Sequence, residues 1–204
     1  FGTRWARTRK RCTRSITLRV VHPTMSESPV RMVMLARVPR YGYVKSRLAR
    51  HAGKPTALRA HVALLAHNAS IAAATGLPFE LHYAGDASNP FFSALAATTG
   101  AALVPQAEGD IGVRMLAAAR YSSTSSPDPS IVIGSDCGAL SVGYLESAVA
   151  ALSSADVVLG PAEDGGYVLV GQRKPVAPLE VRALHTRRVR GARDQRLRIC
   201  APPR

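Results

Sequence analysis

SIVIGSDC, residues 130–137, is the stretch on which the fold is decided. Ser130 to Gly134 is a continuous apolar run, as expected of a strand buried on both faces of a sheet. It ends in Gly-Ser-Asp, which puts one carboxylate, Asp136, at the lip of that sheet. Downstream, Ser141 caps a helix running to about Leu152, Asp156–Leu159 opens another strand, and Gly166–Val170 is the last. Upstream, SSTSSPDPS is a polar loop too rich in Ser and Pro to pack. Before it come a helix at Ile111–Tyr121, a short strand at Ala102–Pro105, a helix at Pro90–Thr99 ended by Gly100, and a strand at Phe79–Ala84. A long Ala/Leu helix from Pro55 to about Thr75 stops at Gly76. The first strand is Val30–Ala36, followed by a Pro/Gly loop over residues 36–50.

Strands alternating with helices predict an α/β fold: a mostly parallel, Rossmann-like sheet with helices on both faces. Ligands bind such sheets beyond the carboxyl ends of the strands, and the chemistry is sought there. The chain has 204 residues, enough for one domain with a sizeable core. No stretch approaches the roughly 18–20 apolar residues of a membrane-spanning helix. Three cysteines, Cys12, Cys137 and Cys200, are far apart and form no CxxC pair. They indicate neither a disulfide framework nor a zinc site and fit a reducing compartment.

A net charge of +14 suggests a nucleic-acid binder until it is located. Residues 1–24 carry seven Arg/Lys and no acid, and residues 173–204 carry ten against Glu180 and Asp194; the body between is close to neutral. All of the excess lies in two flanks, whereas a basic binding face would be interleaved with core-forming residues. Residues 1–24 are read as a basic, disordered or non-native extension. They are sequence upstream of a start at Met25, a transit peptide, or a basic arm for nucleic acid. Residues 25–177 form the domain, and 178–204 a basic, disordered tail or an end altered by a change of reading frame.

Four polar constellations follow the strands. Asp136 is either a hard oxygen ligand for Mg²⁺ or Mn²⁺ that also touches phosphates, or a cap for the following turn. In the loop from Arg37 to Arg50, Pro39 and Gly42 shape the backbone while Lys45 and Arg47 can face anionic oxygens. It is not a Walker A loop, and its alternative is a solvated basic loop. Glu163-Asp164-Gly165-Gly166 allows close backbone approach to a ligand and offers a second carboxylate, or is a plain turn. Asp110 sits at a helix N-terminus, where it is electrostatically favourable with or without a function.

Taken in order, LARVPRYGYVKSRL, QAEGDIGVRM, IGSDCGAL and GPAEDGGYVLVG resemble a bacterial-type glycosyltransferase-like family, radical-SAM/selenodomain-associated transferase 1. That family belongs to the nucleotide-diphospho-sugar transferase (GT-A-like) superfamily. The resemblance runs from about Met32 to Gln172. In the family's first loop, AKxPxxGxVKTRL, Ala36, Pro39, Gly42, Val44, Lys45, Arg47 and Leu48 match; Arg37 replaces Lys and Ser46 replaces Thr. Its QGEGDLGERM is met by Gln106, Glu108, Gly109, Asp110, Gly112, Arg114 and Met115. GSDCPAL is met with Gly138 in place of Pro, and AEDGGYYLIG by Ala162 to Tyr167, Leu169 and Gly171. The loop also looks like that of 2-phospholactate guanylyltransferases.

The resemblance implies Asp136 at the metal position, joined by Asp164, and Lys45 with Arg47 in the nucleotide-phosphate loop. Ala36, Arg37, Asp110 and Ser135 complete the expected nucleotide contacts, and Glu163 with Asp164 are the catalytic candidates. The implied activity is metal-dependent transfer, glycosyl or nucleotidyl, from a nucleotide sugar or nucleoside triphosphate to an acceptor that the sequence does not identify. The implied cofactor is Mg²⁺ or Mn²⁺, and the expected compartment is the cytoplasm, or an organelle if residues 1–24 direct import. Family members continue after the last strand with a Trp-Ser-Thr segment and a closing DxDTPxDL-like stretch, neither of which follows Gln172 here. An incomplete C-terminal part would leave a sheet edge uncovered and makes a catalytically impaired nucleotide-binding paralogue the alternative. A basic nucleic-acid-binding protein ranks third.

Overall fold

Arg31–Arg37 (β1) is buried at five of its seven positions, the signature of a strand covered on both faces. A computed structural model of the chain describes residues 30–86, 88–121, 129–162, 166–175 and 197–199. Beyond β1 the order is α1 (Ser46–Ala52), α2 (Lys54–Ala74), β2 (Phe79–Ala84), α3 (Pro90–Thr99), β3 (Ala102–Pro105), α4 (Ile111–Arg120) and β4 (Ser130–Gly134). Then follow α5 (Val142–Leu152), β5 (Val157–Pro161), β6 (Tyr167–Gln172) and β7 (Leu197–Ile199). They build one seven-stranded sheet in the order β3-β2-β1-β4-β6-β5-β7.

The expected mostly parallel α/β sheet is what forms. β1 pairs in parallel with β2 and with β4, and β2 with β3. β6 runs against both neighbours, β4 and β5. The reason is length: β5 ends at Pro161 and β6 begins at Tyr167, too short a connection for the crossover that parallel neighbours require. Alternation along the strands splits the core. Met32, Met34, Leu81, Ile131 and Ile133 pack with Leu65 of α2, Phe92 of α3 and Leu145 of α5. Val33 and Val132 meet Ala118 and Ala119 of α4 on the opposite face. Helices therefore cover both faces.

Two elements depart from the sequence reading. Residues 36–50 were expected as loop throughout, yet Ser46–Ala52 is helical; α1 has no buried residue and so no apolar stripe to announce it. Leu197–Ile199 falls within the stretch expected as a tail, and its backbone pairs with β5 in parallel, adding one short strand beyond β5. Residues 1–24 and the remainder of 178–204 lie outside the described residues.

Toward the amino ends of the strands the sheet carries a buried charge cluster. Arg31 Nη1 donates to both Glu80 oxygens at 2.8 Å, and Arg31 Nη2 donates to the Ala119 carbonyl at 3.3 Å. His82 Nε2 lies 2.9 Å from Glu80 Oε2, and the His82 ring meets Tyr121 edge-on. Burial alone would push the Glu80 carboxyl up. Hydrogen bonds from His82 and Arg31, with the charge of the arginine, more than reverse that, and Glu80 is held below its ordinary value.

Candidate active site

The sheet reverses direction of build between β1 and β4: from β1 the chain adds β2 and then β3 on one side, then returns to place β4 on the other. Such a switch point leaves a crevice beyond the carboxyl ends of the two strands. An open cleft of about 280 Å³ lies there, with Ala36 and Arg37 from the end of β1 on one side and Ser135 and Asp136 from beyond β4 on the other.

Lys45 reaches into this cleft from the loop after β1. Its Nζ lies 2.9 Å from Asp136 Oδ1, joining residues 91 positions apart. The lysine side chain is 16% exposed and the aspartate side chain 70%. Lys45 is also the one non-glycine residue with positive φ among the described residues (φ 46°, ψ 52°), where it caps the start of α1. A lysine there is strained by roughly 1–2 kcal/mol relative to the ordinary helical basin, a feature that tends to gather at functional sites.

The third wall comes from β3 and α4. Gln106 follows β3 and donates its side-chain amide to the Ala36 carbonyl at 2.9 Å and the His82 carbonyl at 2.6 Å. It thereby ties the ends of β1 and β2 to the segment after β3. Arg114 on α4 donates Nε to the Gly109 carbonyl at 2.9 Å and Nη1 to Gln106 Oε1 at 3.4 Å. Gly109 has φ of 117°, and a Cβ there would lie 3.1 Å from the Val113 side chain, so the turn that presents its carbonyl to Arg114 suits glycine. From α2, buried His61 holds the Arg37 carbonyl through Nε2 at 3.0 Å; since a carbonyl only accepts, that nitrogen carries the proton.

Of the residues expected from sequence, the cleft brings together Ala36, Arg37, Lys45, Ser135 and Asp136. Arg47 is exposed on α1 and does not line it. Asp110 caps α4, its carboxylate accepting from the Val113 amide at 2.9 Å, and also lies off the cleft wall. Glu163 and Asp164 lie outside the described residues. The strands that flank them are placed: β5 runs parallel to β4, so Pro161 and Tyr167 stand at the same edge of the sheet as the cleft, closed by a hydrogen bond from the Ala162 amide to the Gly166 carbonyl at 2.9 Å. The lining residues His61, Ile111, Gln106 and Arg114 were not among the expected contacts. Gln106 and Arg114 belong to QAEGDIGVRM and were legible there; His61 sits in an Ala/Leu helix and gives no local signal. Among the described residues no group of three or more His, Cys, Asp or Glu side chains converges as a ready-made metal cage. No helix among them is long and apolar enough to cross a membrane.

Residues 65–184, more than half the chain, match the family described as "Uncharacterized protein conserved in bacteria (DUF2064)". The chain belongs to the DUF2064 family. A comparison with curated proteins finds no match. Among solved structures, this DUF2064 protein is similar to a candidate nucleotide-diphospho-sugar transferase from Desulfovibrio desulfuricans G20. The TM-score is 0.66 at 23% identity, over 85% of this chain and 80% of that one. It is also similar to 4-diphosphocytidyl-2C-methyl-D-erythritol synthase from Anaerococcus prevotii DSM 20548, with TM-score 0.51 and 6% identity over 86% and 90% of the two chains. At such identities the likeness is one of fold. The DUF2064 chain has the nucleotide-diphospho-sugar transferase-like α/β fold that its motifs implied.

Proposed function

We propose that this protein is a metal-dependent transferase that binds a nucleotide-activated donor in the cleft between β1 and β4. The observation that carries this reading is the meeting of Lys45 and Asp136 at the switch point of the sheet. A phosphate-bearing ligand needs cations, and Arg37, Lys45 and Arg114 all line the cleft. A small divalent cation needs hard oxygen, and Asp136 supplies it with a largely exposed carboxylate. The donor set fits Mg²⁺ or Mn²⁺, which is held by one or two carboxylates together with substrate phosphates rather than by an all-protein cage. The two similar solved structures are named for nucleotide-based chemistry, which supports the same class of donor.

In this reading Asp136 holds the cation, and Asp164, from the connection between β5 and β6, is the second carboxylate. The metal, when bound, withdraws charge from the donor's phosphates. Lys45 neutralises charge developing on the leaving phosphate, with Arg37 and Arg114 of the cleft lining as further cations. Ala36, Arg37 and Ser135 frame the nucleotide at the strand ends, with Asp110 fixing the start of α4 beside them. Gln106 and His61 keep the Ala36 and Arg37 carbonyls in place. Glu163 or Asp164 orients the acceptor hydroxyl and takes its proton. Cys137, beyond β4, is partly buried against the main core, and this reading gives it no part in the chemistry.

The test is thermal unfolding of the full chain against nucleoside triphosphates and nucleotide sugars, with Mn²⁺, Mg²⁺ or chelator, repeated with Asp136→Asn. A ligand at about 100 times its Kd adds roughly 2.7 kcal/mol of stability. A metal-dependent shift that disappears in Asp136→Asn is expected. A shift unchanged by chelator and by Asp136→Asn sinks the metal assignment; a shift without turnover favours a binding-only paralogue.

A further inference from the structure

The Lys45–Asp136 pair does more than mark the cleft. We propose that it is a latch: Lys45 holds the metal-binding carboxylate until the phosphates of an incoming ligand draw the ammonium away, so that phosphate and metal bind as a coupled pair. The inference rests on the reading of Asp136 as the metal ligand and adds an order to it.

Three observations carry it. First, Lys45 Nζ stands 2.9 Å from Asp136 Oδ1, on the carboxylate that would hold a Mg²⁺ or Mn²⁺ ion. A single and a double positive charge would then compete for one carboxylate at close range, and each weakens the other's hold. Second, Lys45 is the carboxylate's one hydrogen-bond and ion-pair partner among the described residues. Among the described residues no second cation contacts Asp136, so the departure of the lysine removes the one ion pair it has there. Third, Lys45 holds its position in a left-handed backbone conformation, with no side-chain cap to fix the start of α1. A strained residue at the head of a seven-residue helix with no buried residue of its own has no core anchor on its helical side to resist rearrangement.

The energetic requirement is modest. Asp136 is 70% exposed, so the pair is worth no more than a solvent-exposed ion pair, a factor of up to roughly five in an equilibrium. That is enough to bias metal binding and small enough for a polyphosphate, which offers several anionic oxygens at once, to overcome. By reciprocity, whatever factor the phosphate adds to metal affinity the metal adds to phosphate affinity.

The experiment measures Mn²⁺ binding to the full chain by electron paramagnetic resonance of the free ion, without and with inorganic pyrophosphate, for wild type, Lys45→Met, Lys45→Arg and Asp136→Asn. Without pyrophosphate, Lys45→Met is expected to bind Mn²⁺ roughly five-fold more tightly than wild type, and Lys45→Arg to behave as wild type because it keeps the competing charge. Pyrophosphate then raises Mn²⁺ affinity by a factor about five-fold larger in wild type than in Lys45→Met; chelation by pyrophosphate itself is common to both and cancels in that ratio. If Lys45→Met binds no more tightly than wild type, or neither shows saturable binding, the latch is overturned. Should Asp136→Asn bind Mn²⁺ as wild type does, the metal assignment beneath it fails instead.

Discussion

Two ion pairs at opposite ends of one sheet, Arg31–Glu80 and Lys45–Asp136, are built in opposite ways. Arg31–Glu80 lies toward the amino ends of the strands, with side chains 7% and 13% exposed, and is reinforced by His82 and the Ala119 carbonyl. Of its polar atoms only Arg31 Nε is buried without a partner. Lys45–Asp136 lies at the carboxyl ends, a single contact with the carboxylate mostly in water. The buried cluster has nearly all its donors and acceptors committed within the chain and has no site to offer. The exposed pair has an unspent carboxylate and a strained lysine beside a cleft. The difference teaches where in an α/β sheet charge is used for structure and where it is kept for ligands: an ion withdrawn from water must be paired internally, whereas one at the open edge can exchange partners.

Four measurements would break or sharpen that contrast. The largest effect is expected from Glu80→Ala, which strands the Arg31 guanidinium beneath α4. Chemical unfolding should show a loss of about 3 kcal/mol; a loss below 1 kcal/mol would make the two pairs energetically alike. Next comes pH. The folded chain keeps Glu80 ionised to lower pH than the unfolded chain does. Its stabilisation is therefore complete above the ordinary value of 4.5 and drains away as pH falls through the lower, folded value. The unfolding temperature of wild type should drop more steeply between about pH 5 and about pH 3 than that of Glu80→Gln.

Gln106→Ala should cost about 1–2 kcal/mol, since it removes donors from the Ala36 and His82 carbonyls and one anchor from Arg114. It should also weaken nucleotide binding, which calorimetry would read directly; unchanged affinity would confine Gln106 to the scaffold. The smallest effect is at the open pair. Lys45→Gly relieves the positive φ and is expected to raise stability by about 0.5 kcal/mol, the strain released less the backbone entropy of glycine, while phosphate binding is lost. Destabilisation by more than about 1 kcal/mol would mean that the Lys45–Asp136 contact is structural after all.

Much of the fold was legible because burial writes itself into residue order. β2, α3, β3 and β4 were read with the bounds they have in the structure, each a short apolar run or stripe punctuated by Gly, Pro or Asn. α1 was missed because a helix with no buried face has no period to detect. β7 was missed because three residues of an Arg-rich stretch pair through their backbone, and backbone pairing needs no particular side chains. The antiparallel course of β6 follows from a short connection and was implicit in the chain without being stated.

At the site, the sequence by itself determined the chemistry on offer: a carboxylate ending an apolar strand, a Lys/Arg loop after the first strand, and a Gln-Ala-Glu-Gly-Asp turn opening a helix. Only the tertiary structure decided which of these meet. It set Lys45 against Asp136 across 91 positions, kept the capping Asp110 off the cleft wall, left Arg47 outside the cleft and brought in His61 from the middle of a helix. The physical reason is that side-chain chemistry is local, whereas proximity is fixed by how parallel strands order themselves. That order, with β1 between β2 and β4, comes from burying the two faces of the sheet as a whole.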